Sequence, residues 1–261
     1  IAAFDDDDRA RLLADPGIIR NRAKVDATIG NANATLALIA DAGSLDAYLW
    51  RRQSEIVEAI QRHAEVYVPS CHGAGKSFLA AHAAIHFLYT YPNSIVITTA
   101  PTGRQVRKVL WQEIRRAYGK ARVPLGGEIL QTELRIADRW YAFGFSTDEP
   151  TNFSGLHADH VLVIIDEATG VAADIWEGIA GVLAAGDTHL LAIGNPTDEA
   201  SEFAVRCRRQ NERSIVLPIS AYDTPNFTHF GITESDIAGN SWREKLTGPL
   251  PMAYLVSPQF A

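Results

Sequence analysis

The run Ser70-Cys71-His72-Gly73-Ala74-Gly75-Lys76-Ser77 stands between a short apolar stretch and an alanine-rich one, and it limits what this chain can fold into more than any other segment. A loop ending Gly-Lys-Ser at a helix start presents backbone N–H groups to phosphate oxygens, a lysine to the outer phosphates and a hydroxyl to a divalent cation. Further along, Val161 to Ala168 reads VLVIIDEA, an apolar strand that ends in two acids. Asp166 can hold a metal through its water shell, and Glu167 can orient and deprotonate an attacking water. Together the two segments predict a site for nucleoside triphosphate hydrolysis. The full loop pattern wants glycine where this chain has Ser70, and a glycine-rich turn into a helix also arises for structural reasons alone. Context separates the two readings. Glu65 to Pro69 reads as a strand and Phe78 to Tyr89 as a helix, so the turn falls where phosphate binding requires it.

From Gln53 onward helical and β-rich runs alternate, which implies a mostly parallel sheet covered on both faces. The candidate strands are Glu65 to Pro69, Ser94 to Thr99, Val161 to Ile165, His189 to Gly194 and Ser214 to Leu217. Leu134 to Ile136 and Tyr141 to Phe145 read as a hairpin inserted before the Asp-Glu strand. A strand and a helix thus intervene between the phosphate loop and Asp166. With a glutamate directly after the metal aspartate, that order resembles the additional-strand, catalytic-glutamate branch of P-loop NTPases, an α/β fold. Ligand then belongs at the carboxyl ends of the strands. The first fifty residues differ: Asp5 to Ala14, Asn21 to Ile39 and Leu45 to Trp50 have helical patterns and nothing catalytic in their composition. The expected division is an all-α segment over 1–50, a P-loop domain over 51–222 and the start of a linker or lid over 223–261.

Composition narrows the setting. At 47% hydrophobic, 261 residues can build a proper core. Cys71 and Cys207 alone make neither a disulfide framework nor a four-ligand zinc site, so a reducing interior is the simplest environment. No apolar run approaches the roughly 20 residues of a membrane span, and the N-terminus is too acidic for a signal peptide. The first residue is Ile1, which reads as a fragment. A net charge of −7 argues against a surface that binds nucleic acid all over. Locally, Arg104, Arg107, Lys108, Arg115, Arg116, Lys120 and Arg122 fall within nineteen residues, on and just past an expected helix, Gly103 to Tyr118, and could meet DNA phosphates or the nucleotide, or simply face water.

The site roles follow from chemistry. Lys76 would neutralise the β- and γ-phosphates, Ser77 and Asp166 would hold Mg²⁺, and Glu167 would serve as base. Ser70, His72, Gly73, Ala74 and Gly75 complete the cradle. Asn195 and Thr197, at the end of the next apolar strand, could sense the γ-phosphate or just form an Asn-Pro turn. Gln53 could read adenine by a two-point amide contact, with Trp50, Arg51 and Arg52 stacking nearby, or could start a surface helix. Arg104 is the candidate arginine finger and Arg107 the second choice. His82 and His86 have zinc-helix spacing, but Ala83 stands where the glutamate would be, so they read as helix-face residues. His157 and His160 could border the site. The Asp5 to Asp8 run suits a helix start better than a metal.

The stretches RRQSEIVEAIQRH, SCHGAGKSFLAA, TTAPTGRQVRKVLWQEI, FSGLHADHVLVIIDEATGV, AIGNPT, ISAYDTPN and AYLVSPQF resemble, in order and spacing, the ATPase domain of tailed-phage terminase large subunits. The resemblance runs from about Trp50 to the end. It implies ATP hydrolysis with Mg²⁺ in the cytoplasm of a bacterial host. It also implies coupling through Gly194 to Thr197, double-stranded DNA as partner, and a homo-oligomeric ring on the portal with a small terminase subunit. The nuclease half of such proteins would follow Ala261, so no DNA cleavage is expected. The first fifty residues, GIIRNRAKVDATIGNA above all, resemble an internal piece of the DNA-3-methyladenine glycosylase I family. That family's base pocket and zinc ligands are not in the piece, so no base excision is expected. The competing readings are a glycosylase-related repair protein and a catalytically silent chimeric remnant. A two-lobed helicase would need a second motor lobe after Thr197.

Overall fold

The computed structural model describes residues 4–15, 22, 25–26, 29, 49–121, 125–146, 158–184, 186–209 and 211–260. Near the N-terminus, α1 (Asp6–Ala14) starts at Asp5, whose carboxylate accepts from the N–H groups of Asp7 and Asp8 at 3.0 Å. The acid run therefore caps a helix and offsets its dipole. Of the apolar residues in 16–48, Val25 and Ile29 are described, and both are buried. The helices expected over Asn21 to Ile39 and Leu45 to Trp50 lie largely outside the described residues.

The remainder is built on one sheet in the order β3-β4-β5-β2-β6-β7-β1-β8. Its parallel members are β1 (Glu65–Pro69), β2 (Ser94–Ala100), β5 (Trp140–Ser146), β6 (His160–Ile165), β7 (Asp187–Gly194) and β8 (Ser214–Val216). Central strands buried on both faces need continuous apolar runs, and β2 and β6 have them: all seven residues of β2 are buried, as is every residue of β6 after His160. The short strands β3 (Glu128–Ile129) and β4 (Glu133–Ala137) pair antiparallel at the outer edge. The hairpin expected from Leu134 to Ile136 and Tyr141 to Phe145 forms, with β4 and β5 pairing antiparallel from Glu133–Phe143 to Ala137–Trp140, but it is not set apart from the main sheet. The second arm, β5, pairs parallel with β2 and extends the main sheet. Alternation along that segment reports one buried face and cannot tell which neighbour the strand will find.

Helices cover both faces. Before β1 lies α2 (Arg51–Arg62), and α3 (Lys76–Thr90) follows the phosphate loop, its Ala80, Ala81, Ala83 and Ala84 letting it pack closely. The helix expected from Gly103 is continuous to Gly119, but Val106–Leu110 is a π-turn between Gly103–Gln105 and α4 (Trp111–Gly119). The wider turn keeps Val106, Leu110, Trp111 and Ile114 all buried. Trp111 donates to Thr98 Oγ1 at 2.9 Å and lies against Gly144, where even a methyl group would overlap the indole. The other face carries α5 (Ala173–Leu183) and α6 (Glu202–Arg208), whose Trp176 and Phe203 are sealed in the second apolar cluster. Beyond β8 come three short helices, α7 (Pro225–Thr228), α8 (Glu234–Ala238) and α9 (Trp242–Lys245), around a small core of Phe227, Ile232 and Trp242. Among the described residues no helix is long and apolar enough to cross a membrane.

Candidate nucleotide site

Sheet register brings the chemistry together. Pro69 of β1 lies beside Gly194 of β7, and Ile165 of β6 beside Ala192, so Ser70, Asp166 and Asn195 all leave the sheet at the carboxyl ends of neighbouring central strands. The strand that intervenes in sequence, β2, lies on the far side of β6, and it is β7, later in the chain, that separates β1 from β6 in the sheet. The phosphate loop is tied down by its backbone: Ser70 N–H donates to Gly194 O and Cys71 N–H to Ile219 O, each at 2.9 Å. Gly73 and Gly75 have φ of 67° and 76°, left-handed values that the turn into α3 demands.

Lys76 is 8% exposed, and its ammonium donates to Asn195 Oδ1 at 2.8 Å and to Cys71 O at 3.2 Å. Asn195 in turn meets the His72 ring at 2.9 Å, and its carbonyl accepts from Thr169 Oγ1. Ser77 Oγ donates to Asp166 Oδ2 at 2.8 Å. Burial drives the Asp166 carboxyl up to about 6, and the neighbouring Glu167 charge adds to the rise. The hydrogen bonds from Ser77 and from the Glu167 N–H work the other way. A hydroxyl and a desolvated carboxylate side by side, with a lysine close enough to be felt, are the donor set that a hydrated Mg²⁺ fits. Glu167 follows at φ 51° and ψ 45°, a left-handed conformation costly for a side-chain-bearing residue and held by its N–H bond to Asp166 Oδ1 at 3.1 Å. Thr169, which sequence reasoning missed, ties the turn after Glu167 to the end of β7. The lack of a side chain at Gly194 permits that approach, since a Cβ there would lie 3.0 Å from Thr169 Oγ1.

A carboxyl raised in the native state costs stability once it ionises. Unfolded, Asp166 titrates near 3.8; folded, it does so near 6, so wild-type stability falls as pH rises through that window. At pH 7.5, without Mg²⁺ or nucleotide, Asp166→Asn is therefore expected to be more stable than the wild type by up to about 3 kcal/mol and to melt at a higher temperature. The gain should shrink to nothing as pH falls below 4. Thermal melts across pH 4 to 8 check this, and a variant less stable at pH 7.5 rules it out.

The other sequence candidates are distributed as follows. Gln53 is fully buried on the inner side of α2, so the surface-helix alternative is wrong; its Nε2 is 3.5 Å from Gly75 O, and its Oε1 has no hydrogen-bond partner among the described residues. Trp50 is buried, whereas Arg51 and Arg52 pair with Glu55 at 2.9 and 2.7 Å. Arg104, Arg107 and Lys108 are exposed, Arg115 donates to Gln131 O, and Arg122 and His157 lie outside the described residues. His160 does not border the site. As the first residue of β6 it sits at the far end of that strand, bound to Asp187 at 2.5 Å. His82 Nδ1 meets Phe78 O at 2.7 Å, and burial lowers both His82 and His86. No group of three metal-capable side chains exists among the described residues.

The protein-family model described as Methyladenine glycosylase matches residues 1–74, past the seam expected near Trp50 and into the phosphate loop. A probable terminase large subunit of Enterobacteria phage P7 is 31% identical over 163 residues, covering 58% of this chain and 33% of its own length. The chain thus spans about a third of that relative. The large terminase ATPase domain of Thermus phage P74-26 superposes with a TM-score of 0.53 at 19% identity, covering 74% of this chain and 88% of that one. The large terminase of the thermophilic bacteriophage D6E, solved in complex with ADP, gives 0.53 at 12% identity over 73% of this chain and 49% of that one. The chain therefore has sequence homology to a terminase large subunit and the fold of the terminase ATPase domain, and it is led by residues that match the methyladenine glycosylase family.

Proposed function

We propose that residues 51–222 form a Mg²⁺-dependent ATPase of the DNA-packaging motor type. The observation that carries this is the convergence of two hydrogen-bonded pairs, Lys76 with Asn195 and Ser77 with Asp166, at the carboxyl ends of the central strands, next to Glu167. Mg²⁺, held by Ser77 and Asp166, would neutralise charge on the phosphates. Lys76 exchanges Asn195 Oδ1 for phosphate oxygens, and Ser70 to Gly75 cradle the chain of phosphates with their backbone. Glu167 takes the proton of the attacking water. Asn195, released by Lys76, registers that a γ-phosphate is present and passes this on through Gly194 to Thr197. Gln53 reads adenine, and Arg104, exposed beyond β2, reaches developing charge as the arginine finger. Support for the nucleotide comes from the D6E terminase, which was solved with ADP and with ATP-gamma-S.

Double-stranded DNA is the partner in this reading, with a ring of like chains on a portal, a small terminase subunit alongside, and the bacterial cytoplasm as the setting. The segment 223–261 begins a linker or lid. Residues 1–50 are a separate helical piece without excision activity. The experiment is ATP hydrolysis by the purified chain with and without Mg²⁺ and double-stranded DNA, with release of 3-methyladenine followed in parallel. Metal-dependent turnover raised by DNA, without base release, is expected. Base release without turnover would favour the repair reading.

A further inference from the structure

The turn from Met252 to Val256 lies against the phosphate loop. Val256 N–H donates to Gly73 O at 2.8 Å, and a Cβ built on Gly73 would lie 3.1 to 3.2 Å from Val256. On the other flank, a Cβ on Gly75 would lie 3.0 Å from Gln53 Nε2, 3.2 Å from Leu255 and 3.7 Å from the Tyr254 ring. An amide and an aromatic ring therefore meet at one point of the loop. Tyr254 is 55% exposed, its ring centroid is 5.7 Å from that of Phe78, and Phe78 packs on His82 at 4.0 Å. A half-open aromatic ledge thus runs alongside the residues that would take the phosphates.

One buried side chain holds the turn in place. Asn226 has no exposed surface; its Nδ2 donates to Met252 O at 2.9 Å, Val256 O at 3.1 Å and Leu255 O at 3.2 Å, and its Oδ1 accepts from Met252 N–H at 3.0 Å. Four backbone bonds from one fully buried amide fix a turn that has no regular secondary structure of its own.

We propose that this turn is part of the nucleotide site, with Asn226 fixing its shape, Val256 N–H tying it to the phosphate loop and Tyr254 offering the face on which the nucleobase stacks. The inference rests on the ATPase reading above and adds a stacking surface for the base to the amide contact assigned to Gln53. Stacking on an aromatic ring accounts for about 1–3 kcal/mol per base in nucleic-acid complexes, which is roughly fivefold to a hundredfold in affinity. Tyr254 is thus a binding residue and Asn226 a positioning residue.

The test measures dissociation constants of the full chain for MgATP and for magnesium tripolyphosphate, which has phosphates but no base, by titration calorimetry. Tyr254→Ala is expected to weaken ATP about tenfold while tripolyphosphate binds as before. Tyr254→Phe should keep both affinities, because the ring and not the hydroxyl stacks. Asn226→Ala should lose ATP selectively as Tyr254→Ala does. Equal losses for the two ligands, or no loss of ATP affinity in Tyr254→Ala, overturn the proposal, and the exposure of Tyr254 makes that variant informative even if Asn226→Ala misfolds. Wild type whose affinity for both ligands is indifferent to Lys76→Ala overturns the phosphate site itself, a different failure.

Discussion

Lys76→Ala is expected to lower ATP turnover at saturating nucleotide by at least a hundredfold and to weaken ATP binding as well. The ammonium is almost sealed from solvent between Cys71 O and Asn195 Oδ1, so it is already desolvated and oriented before any phosphate arrives. A fixed positive charge in such a place acts in low dielectric and needs no reorganisation as charge develops in the transition state. Removing one preorganised donor of this kind costs roughly a hundredfold to a thousandfold. Lys76→Arg should not restore activity, since a planar guanidinium cannot occupy the slot of a compact ammonium. Steady-state hydrolysis and nucleotide titration check both statements. Turnover within threefold of wild type in Lys76→Ala would remove the lysine from the mechanism.

Glu167→Gln should separate binding from chemistry. The amide keeps the shape of the side chain but loses the basic oxygen, so ATP affinity stays within a few-fold of wild type while turnover falls by about a hundredfold to ten-thousandfold. The backbone gives a second reason to choose this residue. Glu167 holds a left-handed φ of 51° that glycine would adopt without strain. Glutamate at that position sets its carboxylate beside Asp166, near enough to raise that group. Paired measurements of ATP affinity and single-turnover hydrolysis decide the matter: equal losses in both assign Glu167 to structure, and hydrolysis within tenfold of wild type places the base elsewhere.

Much of this was readable in the residues. β1 matches its expected bounds to the residue, and β2, β6, β7 and β8 differ by at most two residues at an end. Their apolar runs are short, unmixed and punctuated by Gly, Pro and Asp, which is the strongest pattern a parallel strand leaves. The phosphate loop and Asp-Glu pair were equally legible, because their chemistry is local. Partner choice was legible only in the β4–β5 hairpin. Nothing in Tyr141 to Phe145 says that β2 is its neighbour, since period two reports faces and not pairings. Gln53 shows the same limit in a polar residue: its burial follows from the turn of α2 toward the loop, which side-chain polarity conceals. Tyr254, Leu255 and Val256 approach Gly73 and Gly75 from far along the chain, held by Asn226, and no periodicity links such distant segments. Thr169 belongs with them.

The strand between β1 and β6 sets a fixed span. Neighbouring strands lie about 4.8 Å apart, so the positions past Pro69 and past Ile165 are about 9.6 Å apart across the sheet and, with Pro69 beside Gly194 and Ile165 beside Ala192, about 6.7 Å apart along it, with the end of β7 as the floor between them. Main-chain hydrogen bonds hold both spacings, and no rearrangement of the sheet can widen or close that interval without breaking a ladder. The floor is therefore a rigid gauge for the length of what lies on it, and adaptation to different occupants falls to the parts standing above it: the Lys76 ammonium, the Asn195 amide and the turn that carries Tyr254.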